Sequence, residues 1–167
     1  MPAEFARFPT VRPRRLRSSP LMRDLVRETE LSANDFILPL FVRPGAGVRN
    51  EIASMPGNFQ LSPDTLVDEI GAAADLGVKA FILFGIPAAK DPEGRVALDD
   101  AGIVQTAIRT VRKAFGRDVL LMTDECFCEY TSHGHCGILH ERNGVTDVDN
   151  DATLTILAEQ CVSHAKA

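Results

Sequence analysis

Three times along this chain an apolar run leads into a long polar loop, and then into a segment whose apolar residues recur at helical spacing. The apolar runs are Phe36–Val42, Ala80–Phe84 and Val119–Met122. Continuous runs of this kind, rather than alternating ones, mark strands of a parallel sheet buried on both faces. Pro39 removes one ladder donor from the first run, which suggests an edge, a bulge or an irregular strand there. The first helical segment opens at Ser62-Pro63-Asp64, with a hydroxyl cap, proline in the first turn and an acid at the positive end of the dipole. Leu66, Val67, Ile70, Ala73 and Ala74 form its apolar face, and Gly77 ends it. Asp99 or Asp100 is expected to cap the second helix, which carries Ile103, Val104, Ala107, Ile108, Val111 and Phe115 on one face and stops at Gly116. Asp149 or Asp151 is expected to cap the third, with Leu154, Leu157, Ala158, Cys161, Val162 and Ala165 packed inward.

Strand, long loop, helix and short turn in that order predict an α/β fold. A doubly wound sheet and a (β/α)8 barrel both fit the pattern, and a barrel places its active site on the face where these long loops lie. Three units leave both sheet edges unpaired, a liability that natural proteins cover. The expectation is therefore the amino-terminal piece of a longer protein: residues 1–34 an arm, residues 35–167 three βα units.

Residues 1–27 hold seven arginines against Glu4 and Asp24, a balance of +5, so the rest of the chain carries −10 of the total −5. Pro2, Pro9, Pro13 and Pro20 break up any amphipathic helix there. The arm reads as extended, with a short helix from Pro20 capped by Ser18 or Ser19. Such a basic arm beside an acidic body suits docking onto another subunit; a disordered tail is the competing reading. A net charge of −5 and a pI near 5.3 argue against a general nucleic-acid binder. No apolar run approaches the roughly 20 residues of a membrane span, and the start lacks the apolar centre of a secretory signal. The cysteines are thus expected in a reducing compartment, where clustered thiols mean metal or catalysis more often than disulfides.

Three of the four cysteines fall in one stretch, Asp124-Glu-Cys-Phe-Cys-Glu-Tyr-Thr-Ser-His-Gly-His-Cys136, directly after the third apolar run. Alternation along an extended chain puts Asp124, Cys126 and Cys128 on one side. Gly134 permits a tight return that brings Cys136 back to the pair. Structural zinc is nearly always closed by four protein ligands. Here three thiolates are plain and the fourth ligand is not, so both an open, substrate-accepting centre and a loop-pinning zinc knuckle fit the spacing. His133 and His135 are candidates for a fourth ligand or for donors behind the ligands. An iron–sulfur cluster fits less well with three clustered cysteines. Cys161 reads as core; His140 and His164 read as surface residues.

The stretch from Asp124 through Gly137 closely resembles the zinc-binding segment of the delta-aminolevulinic acid dehydratase (porphobilinogen synthase) family. Further matching pieces are Arg12-Pro-Arg-Arg-Leu-Arg-Ser18, Phe36–Val42, Ser54-Met-Pro-Gly57 and Leu83-Phe-Gly-Ile-Pro87. The resemblance implies a cytoplasmic hydro-lyase of tetrapyrrole biosynthesis built on a TIM barrel, of which this chain supplies the first three βα units after an extended arm. It implies condensation of two delta-aminolevulinate molecules into porphobilinogen with loss of two waters. It also implies a homo-octamer in which the arm wraps a neighbouring barrel. Zinc ligands would be Cys126, Cys128 and Cys136, with Asp124 as an active-site carboxylate; an allosteric magnesium site would lie downstream.

The lysines that form Schiff bases in this family sit on later strands, and none of the lysines here replaces them. Lys79 opens a strand at the wrong end, Lys113 lies on a helix, Lys166 is terminal, and Lys90 lies in a loop on the right face with nothing to lower its pKa. The alternative reading is a stand-alone zinc-binding or assembly module.

Overall fold

The computed structural model describes residues 9, 11 and 14–167. The chain divides into two compact units, Met1–Ser32 and Ala33–Ala167. In the first, a 3-10 turn over Arg15–Arg17 precedes helix α1, Pro20–Leu25. Ser19 caps α1 by accepting a hydrogen bond from the Met22 amide at 3.1 Å, and Pro20 occupies the first turn, as the sequence predicts. The extended course expected at residues 1–8, 10, 12 and 13 lies outside the described residues.

The second unit contains strands β1 (Ile37–Val42), β2 (Arg49–Glu51), β3 (Phe59–Leu61), β4 (Ala80–Gly85) and β5 (Leu120–Thr123) in one sheet. Their order is β2-β3-β1-β4-β5. β1, β4 and β5 are the three expected strands and run parallel, with Ile37 beside Ala80 and Ala80 beside Leu120. β3 also pairs parallel to β1, but only at Phe41 and Val42. Among the described residues Pro39 therefore has no strand on its second side, and its missing N–H costs the sheet nothing there. β2 and β3 were not expected; they form a short antiparallel pair inside the loop that follows β1.

Helices α2 (Pro63–Asp75) and α3 (Ile103–Phe115) cover one face of this sheet. Leu40, Val42, Leu61, Phe81 and Leu83 from the strands pack there against Leu66, Ile70, Val104, Ala107, Ile108 and Val111. Burying the Leu, Ile, Val and Phe side chains among these stabilises the fold by about 1.5–3 kcal/mol each before entropy is counted. The opposite face is covered less: Phe41 and Phe84 stack at 5.4 Å between ring centroids and stay half-buried. The burial on both faces read from the continuous runs is thus present on the helix face only.

Two helix caps differ from expectation. Ser62 stands at the N-cap position of α2, but its hydroxyl donates to Asp64 and accepts from the Val48 amide, tying the β2 loop to the helix instead. α3 starts from Gly102, and Asp99 caps only the preceding turn by accepting from the Ala101 amide. After β5 come the metal-candidate loop and an antiparallel hairpin, β6 (Leu139–Arg142) and β7 (Val145–Val148). Helix α4 (Asn150–Lys166) follows, capped by Asp149 through the Ala152 amide as predicted.

The face that α4 buries differs from the predicted one. Thr153, Ile156, Gln160, Ser163 and His164 are buried, whereas Leu154, Ala158, Cys161, Val162 and Ala165 are exposed. Polar partners decide this orientation. Gln105 of α3 donates to Ser163 at 2.9 Å and to the Ala97 carbonyl at 2.8 Å, joining both helices to the 3-10 turn Arg95–Leu98. Cys161 is therefore not core, and His164 is not a surface residue.

Candidate metal centre

Thr123 is the last residue of β5, and the Asp124 amide adds one more ladder bond by donating to the Leu83 carbonyl. Partners in a parallel pair share a face, so Thr123 points with Leu83 toward the helices. Alternation then turns Asp124 and Cys126 toward the open face. Beyond them the chain is shaped by its own apolar residues. Phe127 and Tyr130 are buried with Ala97 and Ile156 in a cluster separate from the main core. The amides of Tyr130 and Thr131 both donate to the Phe127 carbonyl at 2.8 Å, closing a tight turn around it.

The loop after β4 forms the second wall. Asp91 donates its amide to the Tyr130 carbonyl and accepts from the Ser132 amide. Lys90 Nζ donates to the Cys128 carbonyl at 3.1 Å. His133 Nε2 donates to the Pro92 carbonyl at 2.9 Å, while its Nδ1 accepts from the His135 amide. His133 is thus a structural strut between the loops. Gly134, at φ +76°, makes the return that any other side chain would strain.

That return brings Cys136 Sγ to 3.0 Å from Cys126 Sγ, and Cys128 Sγ lies 3.4 Å from Cys126. Three thiolates on a tetrahedral zinc at about 2.3 Å would stand about 3.8 Å apart, so the sulfurs need to open by less than about 1 Å. The donor set fits a soft divalent ion. A second gathering of donor atoms joins Asp124 and Glu129 to Cys126. His135 is exposed and belongs to neither gathering.

The electrostatics favour protonated thiols when no metal is bound. A hydrogen bond to Glu129 and burial push the Cys128 thiol well above the ordinary range, and burial raises Cys126. Metal binding here must displace those protons, so affinity will rise with pH. Burial, reinforced by the neighbouring Glu129 and Glu125, also raises the Asp124 carboxyl. Glu129 was missed by sequence reasoning, although its place beside Cys128 was a signal for it. Glu125 was missed as well, and it reaches the other way, to His164 of α4 at 2.6 Å.

Fold and site together define a parallel α/β chain that carries a thiol-rich centre at the carboxyl ends of its strands. Residues 10–167 match the family model of delta-aminolevulinic acid dehydratase. A relative of that name from Synechocystis is 49% identical over 160 residues, covering 96% of this chain and 49% of the relative. One from Helicobacter pylori is 51% identical over 145 residues, covering 86% of this chain and 43% of the relative. The crystal structure of delta-aminolevulinic acid dehydratase (porphobilinogen synthase) from Toxoplasma gondii, in complex with its reaction product porphobilinogen, superposes with a TM-score of 0.86 at 35% identity, over 93% of this chain and 44% of that one. The chain belongs to the delta-aminolevulinic acid dehydratase family. It spans about half the length of the relatives named here.

Proposed function

We propose that residues 33–167 form the metal-bearing part of a porphobilinogen synthase, the enzyme that joins two delta-aminolevulinate molecules into porphobilinogen with loss of two waters. The observation that carries this reading is the convergence of Cys126, Cys128 and Cys136 beside Asp124 at the end of β5. On this reading the three parallel strands and their helices are the first units of a (β/α)8 barrel, and the loops after β4 and β5 line its active-site end.

Cys126, Cys128 and Cys136 would hold zinc as thiolates, and a bound zinc supplies Lewis acidity toward a substrate carbonyl or amine. The charge of three thiolates leaves the filled site at about −1, which favours release of a bound group. Asp124 stands on the same face, with a carboxyl inclined to take up a proton. It can hold the ammonium of one delta-aminolevulinate or accept a proton from it. Lys90 is engaged with the Cys128 carbonyl and steadies the loop; it is not offered as a Schiff-base lysine. The arm serves assembly into a homo-octamer, and the enzyme acts in the cytoplasm.

Residues 1–167 alone are expected to make no porphobilinogen, because no lysine among them matches the family's Schiff-base positions. Zinc-loaded chain is expected to bind delta-aminolevulinate with an affinity that falls when Asp124→Ala is introduced. Porphobilinogen formation by residues 1–167 would contradict the assignment of the covalent chemistry elsewhere. Metal-independent substrate binding would contradict the role given to the cysteines.

A further inference from the structure

Glu125 and His164 play no part in the chemistry above, yet they pair across two elements, His164 buried and Glu125 half-buried. The His164 side chain is 3% exposed, and its Nδ1 donates to Glu125 Oε1 at 2.6 Å. The same oxygen accepts from the Thr123 hydroxyl at 3.0 Å. Cys161, one turn earlier on α4, also lies against this carboxylate. Glu125 Oε2 and His164 Nε2 are buried with no hydrogen-bond partner among the described residues. An ionisable pair held this way costs desolvation, and packing alone does not call for it.

The position of Glu125 explains what the pair does. The ladder between β4 and β5 ends at the Asp124 amide, and among the described residues no sheet bond fixes the orientation of Glu125 and Cys126. Glu125 lies between Asp124 and Cys126, and alternation gives it the opposite face from both. If that segment rotates by one residue, Asp124 and Cys126 turn toward the helices and the thiols no longer converge. We infer that His164, with Thr123, clamps Glu125 to the helix face, making His164 a positioning residue that aims Asp124 and Cys126 at the metal. This inference rests on the metal reading of the three cysteines.

The test uses the intact protein with His164→Leu, Glu125→Leu, the double variant and His164→Asn. Asparagine keeps a donor where His164 Nδ1 stands. Zinc affinity is measured by competition with a chromophoric chelator, and amide exchange over residues 124–128 is followed in metal-free protein. Residues that orient metal ligands typically contribute about 10–100-fold in affinity. Each leucine variant should therefore weaken zinc binding by about tenfold or more. Exchange over residues 124–128 should also rise, with β1 and β4 unchanged. The double variant should be no worse than the worse single one, and His164→Asn should recover most of the loss. Wild-type affinity and exchange in the leucine variants, additive losses, or no recovery by asparagine would overturn the clamp. Zinc-binding wild type with indifferent variants overturns the clamp and keeps the metal reading. Faster exchange in the variants of a protein that binds no zinc keeps the clamp and overturns the metal reading.

Discussion

Phe127 is the residue on which the shape of the cysteine loop turns. It lies between two of the three cysteines, is 1% exposed, and packs with Ala97, Tyr130 and Ile156 away from the main core. Replacing it with alanine removes an aromatic ring from a closed cluster, a change that costs about 3–5 kcal/mol in protein cores. Because the cluster joins the loops after β4 and β5 to α4 and reaches the sheet only where Tyr130 meets Gly85 at the end of β4, most of that loss should fall on local opening. The amides of Tyr130 and Thr131, both bonded to the Phe127 carbonyl, report it directly. A loss of about 3 kcal/mol corresponds to roughly a hundredfold loss of exchange protection, at 1.4 kcal/mol per decade. Native-state hydrogen exchange on Phe127→Ala should show that change at Tyr130 and Thr131, with the strand amides of β1 and β4 near wild type. Zinc affinity should fall with it. Protection reduced less than about fivefold, corresponding to about 1 kcal/mol, would refute this role for Phe127. An equal loss across the sheet and the loop would refute it too.

Gly85→Ala would place a methyl group 2.4 Å from the Tyr130 hydroxyl and 2.5 Å from Val104, so it should cost about 1–3 kcal/mol by overpacking. Tyr130 is the only tyrosine and there is no tryptophan, so intrinsic fluorescence should show its displacement. Burial raises the Tyr130 phenol, so its contribution to stability is complete below the ordinary tyrosine value and is lost as pH rises beyond it. Alkaline titration should therefore find phenolate appearing only with unfolding in the wild type, and earlier in Gly85→Ala. Asp91 accepts from the Glu93 and Val96 amides. Burial raises its carboxyl, but the amides of Val96, Arg95, Glu93 and Gly94 outweigh burial and leave it below 3.8. Its stabilising effect is present above that value and is lost as pH falls through the folded one. Asp91→Ala should cost about 1.5–3 kcal/mol near neutrality, and acid unfolding curves of variant and wild type should converge at low pH.

The sequence carried the parallel strands, the helices and the cysteine segment, because each rests on a strong local signal: an apolar run, a periodic face, a repeated thiol. The misses have physical reasons. β2 and β3 are three residues each, too short for any periodicity to register. The β6–β7 hairpin turns on Asn143-Gly144, both at positive φ, which is a hairpin signal that its polar strands, containing His140, Glu141, Arg142 and Asp147, disguised. In α4 the apolar residues marked a face that this chain leaves exposed, while Gln105, Ser163 and Glu125 drew a polar face inward. Pairs such as His164 with Glu125 lie 39 residues apart and left no local trace.

The proposed function stands or falls on Cys126, Cys128 and Cys136 forming one metal centre. X-ray absorption at the zinc edge of the purified, zinc-loaded protein tests it most directly. One zinc per chain with three sulfur neighbours at about 2.3 Å is expected, with loss of that signal in Cys128→Ala. A zinc surrounded only by nitrogen and oxygen, or an unchanged sulfur shell in Cys128→Ala, would contradict it.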